Sequence, residues 1–193
     1  MSEDPVQGSA MDGRAPGNAA PPGSSLKRLR ELLFEEGGLM RSLLADRSSD
    51  ASEESGGPAQ IAASGPRVDG RAADYELLIE AIYEGYLLHY HAPRVMRPPE
   101  DDLGLLAGDR LYALGLARLV KLGDVEAVAE LADVITLSAL AHGSGRPELA
   151  AAVWAAGARA VGWGASPLHE RAKALTRAGS PEALEAMLAV ASA

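Results

Sequence analysis

Four histidines, scattered carboxylates and no cysteine limit what chemistry this chain of 193 residues can do. Without cysteine there is no disulfide, no thiolate nucleophile and no cysteine-ligated zinc, and a reducing compartment is compatible with that usage. His89 and His91 stand two apart on a predicted helix, so their rings leave it in different directions and cannot close on one ion. His142 and His169 are remote from them in sequence. Asp101 and Asp102 open another predicted helix, but Leu105 and Leu106 stand four residues on, so no second carboxylate shares their face. Asp109 lies two turns past Asp102, roughly 10 Å along the axis, too far for one hard cation. It reads as a helix carboxylate paired with Arg110 or with nearby backbone. Arg94, Arg97 and Arg110 make at most a solvated basic rim. Ser144 sits between Gly143 and Gly145 as loop chemistry, and no Ser–His–Asp grouping, phosphate loop or dinucleotide glycine pattern is present. The sequence therefore assigns no catalytic, cofactor-binding or metal-ligating residue and implies no cofactor.

Composition narrows the partners. The net charge of −9 argues against a nucleic-acid surface, which needs clustered Lys and Arg. The acidic start, Met1-Ser2-Glu3-Asp4-Pro5, does not resemble a signal peptide. The most apolar stretches, around 134–141 and 150–161, are interrupted by Asp133, His142 and Arg159, short of the roughly 20 apolar residues a membrane span needs. A cytoplasmic location is expected. Apolar residues make up 47% of the chain but aromatics only 4%, so the core must come from aliphatic side chains between closely approaching helices.

The elements that would position these groups are all helical. Residues 1–24 are rich in Gly, Pro, Ser and Asn and read as a disordered head. Residues 25–47 form an amphipathic helical segment, with Leu26, Leu29, Leu32 and Leu33, then Leu39, Met40, Leu43 and Leu44 at helical spacing and Gly37-Gly38 breaking the run. Residues 48–71 read as a flexible Ser/Gly/Pro linker, and residues 72–193 as an all-helical domain. There the spacing predicts helices over 74–91, 101–122, 125–142 and 147–163, and two more opened by Ser166-Pro167 and Ser180-Pro181. The expected fold is all-α, a bundle or array of about six helices behind the disordered N-terminal region. Trp154 and Trp163, nine apart, point to opposite sides of one helix, one toward the core and the other toward solvent as an anchor. Residues 119–131 echo 175–187, each a helix end at glycine followed by a capped helix, which is also the grammar of a short helical repeat.

Two segments carry a family resemblance. Leu87, Leu88 and His89 end one helix, and Leu105, Leu106, Ala107, Gly108 and Asp109 open the next. Over residues 77–139 the chain resembles the trans-prenyl diphosphate synthases, whose early helices read Leu-Leu-His-Asp-Asp and then Leu-Ala-Gly-Asp. It is nearest to the small, non-catalytic component 1 of two-part heptaprenyl diphosphate synthases. In that family, aspartates after Leu-Leu-His hold magnesium against a diphosphate. Here Tyr90, His91, Ala92, Pro93 and Arg94 follow instead, and no second aspartate-rich motif appears downstream.

The resemblance implies a non-catalytic partner or regulatory subunit in isoprenoid biosynthesis, inactive alone and associated with a prenyl diphosphate synthase. The alternative is a generic helical protein–protein interaction domain unrelated to isoprenoids. Either reading expects a protein partner or a homodimer, with any small-molecule ligand unknown. A truncated bundle should leave apolar helix faces uncovered, and the helix after Pro147, with Leu149, Val153, Trp154 and Val161, is expected to supply one.

Overall fold

Residues 147–163 contain seven alanines and two glycines, side chains small enough to let several helices approach one axis closely. A computed structural model describes residues 24–45 and 57–193 of the chain. Among the described residues are nine α-helices: α1 (Ser24–Glu36), α2 (Gly38–Ser42), α3 (Pro58–Ala63), α4 (Ala72–Tyr90), α5 (Asp101–Lys121), α6 (Val125–Gly143), α7 (Pro147–Trp163), α8 (Pro167–Arg177) and α9 (Ala183–Ala191). They include no strand, only a single antiparallel bridge between Leu44 and Met96. The fold is all-α, and none of these helices is long and apolar enough to cross a membrane.

Helix α7 is the axis of the larger core. Helices α3, α6 and α9 and the 3-10 turn Pro66–Val68 all pack on it. Its Leu149, Val153, Trp154 and Val161 are buried, with Trp154 only 2% exposed. The uncovered face expected on this helix is therefore absent. Small residues are the reason, because they let α3, α6 and α9 close on the side that carries Leu149, Val153, Trp154 and Val161, while Glu148 and Ala151 face outward. A Cβ added at Gly157 would lie 2.1 Å from Val134 Cγ2, and one added at Gly162 would lie 2.6 Å from the carbonyl oxygen of Ala62.

The flexible linker expected over 48–71 is also corrected where it is described. Residues 57–71 form α3 and the 3-10 turn, with Ala59, Ala62 and Val68 buried. Pro58 suits the first turn, and the Gln60 side chain accepts a 3.1 Å hydrogen bond from the Gly57 N–H. A composition rich in Gly, Ser and Pro hid a segment whose small residues dock on a small-residue helix. A Cβ at Gly65 would sit 2.2 Å from the Gly162 carbonyl oxygen. The head expected over 1–24 lies outside the described residues except for Ser24, as do residues 46–56.

The amphipathic segment docks on its own chain. Leu26, Leu29, Leu32, Leu33, Met40 and Leu43 join Met96, Ala107, Leu111 and Leu114 in a second core. Gly37 and Gly38, at φ 70° and 49°, take the left-handed conformation that ends α1 and starts α2. Helix α4 divides the two cores. Tyr75, Leu78, Ile79, Ile82 and Tyr86 face one and Ala81 the other, so the helix is apolar on both sides. Helix α9 starts later than its Ser-Pro signal suggests: Ser180 and Pro181 form a turn in which the Ser180 hydroxyl accepts from the Glu182 N–H, and the helix begins at Ala183.

Gly65→Ala should lower stability by about 1–3 kcal/mol, because the Gly162 backbone blocks the added methyl. Gly143→Ala, with nothing within 4 Å of its Cβ, should be neutral or stabilising by up to about 1 kcal/mol. Thermal melts of the two variants check the pair, and equal melting temperatures would contradict the close packing of residue 65 on α7.

Candidate functional site

Helices α4, α5 and α6 run up, down and up, so the C-terminal ends of α4 and α6, each 19 residues long, come to the same end of the fold. Helix α4 ends in tyrosines and histidines and α6 in His142, and a cluster forms there. His91 lies just past α4 and His142 lies in the last turn of α6. The Tyr86 hydroxyl is 3.0 Å from His91 Nε2 and 2.9 Å from His142 Nε2. Tyr90 stacks on His142 with ring centroids 4.1 Å apart. Trp154 closes the inner side against Tyr83 and Tyr86.

Burial holds the Tyr86 phenol protonated, its pKa pushed up to about 12. One phenol carries one proton, so one imidazole accepts it while the other donates to the oxygen. The arrangement can share a proton between two rings across one hydroxyl. His142 is held below its ordinary value of 6.5, first by burial and then by the neighbouring His91.

The other titratable groups join elements to one another. The buried Glu84 carboxylate accepts backbone N–H groups of Arg94, Val95 and Met96 at 3.1, 2.7 and 3.2 Å, while the Arg94 guanidinium pairs with Glu80. This fastens the proline-containing connection between α4 and α5 onto α4. Asp124 caps α6 through the Ala127 N–H at 3.0 Å and accepts from Arg67 Nη2 at 2.7 Å and Tyr75 at 2.5 Å. Burial pushes the Asp124 carboxyl up, but these hydrogen bonds outweigh it and hold the pKa at about 2.

Between α6 and α8, Glu130 accepts from His169 Nε2 at 2.6 Å and from Lys173 at 2.9 Å. Lys173 also reaches Asp133 at 2.9 Å and Glu170 at 2.7 Å. Burial opposes the Lys173 charge, yet the surrounding carboxylates raise its pKa, so it is a cation and no nucleophile.

The sequence-level candidates fall into place accordingly. His89 stacks on Tyr112 and lies 3.2 Å from Asp109, so Asp109 meets a histidine rather than Arg110. Arg110 pairs instead with Glu36 of α1 at 3.0 Å. Arg94, Arg97 and Arg110 do not form a rim, because Arg94 is engaged with Glu80 and Arg97 donates to the Pro93 and Met96 carbonyls. Gly108 is the close contact of α5 with α4, where a Cβ would lie 2.7 Å from His89 Nε2. Trp154 is core and Trp163 is exposed. Among the described residues no group of three or more His, Asp and Glu is placed to hold a metal.

The meeting of His91 with His142 was missed at the sequence level, where the two are 51 residues apart. The available signal was the pattern of three consecutive helices of near-equal length, which returns the ends of the first and third to one place. Comparisons with protein-family models, with curated proteins and with solved structures find no match.

An imidazole held below 6.5 in the fold takes up a proton more readily once the chain unfolds. The stability it supports is complete above that value and is lost as the pH falls below it. Between about pH 7.5 and pH 5 the melting temperature should fall, and His142→Phe, which keeps a ring against Tyr90, should flatten part of that slope. An unchanged slope in the variant would mean that another group sets it.

Proposed function

We propose that the chain is a non-catalytic helical partner subunit that docks through the outer face of α5. The observation that carries this reading is a stripe on that helix. Leu106, Ala113, Ala117 and Val120 share one face at intervals of seven, four and three residues, with Leu106 58% and Val120 59% exposed. Helix α4 covers the opposite side, where Gly104, Ala107, Gly108, Leu111, Leu114 and Gly115 are buried. Arg110 and Lys121 flank the stripe, as charges flank the seam of a coiled coil. An apolar seam of this kind gains roughly 25 cal/mol per Å² when another helix removes it from water.

The resemblance over residues 77–139 includes α5, which makes a prenyl diphosphate synthase with both aspartate motifs the first partner to test. In that setting the chain works in the cytoplasm beside a catalytic subunit that carries the magnesium-binding carboxylates. Asp109 here faces His89 and not a second carboxylate, which supports a supporting rather than a catalytic role.

Leu106→Asp combined with Val120→Asp should leave the melting temperature close to that of the parent chain and weaken the complex at least about tenfold. Size measurement by light scattering at low micromolar concentration, alone and with candidate synthases, reads the result. The purified chain alone should not condense allylic diphosphates with isopentenyl diphosphate, even in excess magnesium. A monomer that binds none of these synthases removes the isoprenoid partner and leaves the general interaction domain. Turnover by the repurified chain contradicts the non-catalytic reading.

A further inference from the structure

The opposite end of the chain carries a different feature, independent of the α5 face. A groove of about 410 Å³ lies between the last turn of α7, the first turn of α8 and the outer side of α9. Leu168, Ala189 and Val190 give it an apolar lining, and Trp163 borders it, with Leu168 70% and Trp163 39% exposed.

Two guanidiniums stand beside this apolar lining. Arg159 lies over the Trp163 ring, 4.7 Å from its centroid, and Arg171 stands one helical turn past Leu168. Some arginines of the fold are held by carboxylates, Arg67 by Asp124, Arg94 by Glu80 and Arg177 by Asp133, and others, such as Arg97 and Arg146, donate to backbone carbonyls. Among the described residues Arg159 and Arg171 have no such partner, although the chain carries a net charge of −9. The N-terminus of α8, which also borders the groove, adds partial positive charge on the same side.

We propose that this groove binds a small free carboxylate with an apolar body, such as a medium-chain aliphatic acid or an aryl acid. The apolar body lies on Trp163, Leu168 and Val190 while the carboxylate takes charge-assisted hydrogen bonds from Arg159 and Arg171. Guanidinium matches carboxylate geometry with two parallel N–H donors, and an aromatic face beside a guanidinium holds its plane in place. The volume sits near the small end of ligand pockets, about 300–1,000 Å³, so the occupant is compact.

The test uses the full chain and its two tryptophans. Decanoate and 1-naphthoate are titrated while tryptophan emission is followed, beside decanol and decylamine as neutral and cationic counterparts. Both carboxylates should change the emission saturably. Trp163→Phe should remove the change, since Trp154 is buried in the core, while calorimetry on that variant still detects binding. Arg159→Gln and Arg171→Gln should each weaken binding about tenfold, and the double variant should melt at the parent temperature while losing binding.

Equal binding of decanol or decylamine, or binding that survives the double variant, overturns the proposal. So does the absence of saturation up to about 10 mM. Partition onto phosphatidylcholine vesicles in place of saturable binding of the free acid also overturns it, since that would mark the patch as a membrane contact.

Discussion

Everything in the larger core depends on how closely other backbone can approach α7. Its glycines at 157 and 162 and its alanines leave room for Val134 of α6, for the Ala62 carbonyl and for Gly65, all at distances that a larger side chain would block. Close approach in turn lets Trp154 be enclosed by Tyr83 and Tyr86 of α4, so the buried aromatic of α7 fills the space that the small residues leave. A core with few aromatics is thereby packed by short distances instead of by bulk.

The second constraint is electrostatic. A chain with this many carboxylates buries some of them, and each buried one is matched. Glu84 is capped by three backbone N–H groups, Glu130 by a histidine and a lysine, and Asp124 by an arginine, a tyrosine and a helix N-terminus. Leaving any of these unpaired would cost more than the pairing returns, so these networks fix which helix end meets which connection. Residues whose types suggest chemistry thus serve largely as fastenings between elements. Among the described residues, the groups left over are the apolar stripe on α5 and the two arginines beside Trp163, which lie on the surface, where binding takes place.

Much of this was legible from spacing alone. The four central helices follow from leucine and isoleucine periodicity with proline and glycine punctuation, and their observed ends fall within a residue or two of those signals. The division of labour between Trp154 and Trp163 followed from their nine-residue separation. What spacing could not show was tertiary. Residues 57–71 look like a linker because composition measures how much a segment can bury alone, whereas Ala59, Ala62 and Gly65 gain their contacts only against another small-residue helix. The burial of Leu149 and Val153 was equally invisible, since no local pattern shows that α3, α6 and α9 all pack on α7. The His91–Tyr86–His142 cluster needed the three-helix path, which no local pattern encodes.

The central claim is that α7 and the segment at 57–68 form one cooperative unit at the heart of the fold. Native-state amide hydrogen exchange read by mass spectrometry tests it most directly. The account places the amides of α7 among the slowest in the chain, opening only by global unfolding, with those of α3 protected to a similar degree. Exchange of the α3 amides orders of magnitude faster than those of α7 would contradict it, because the segment would then open without disturbing the helix it is said to sheathe.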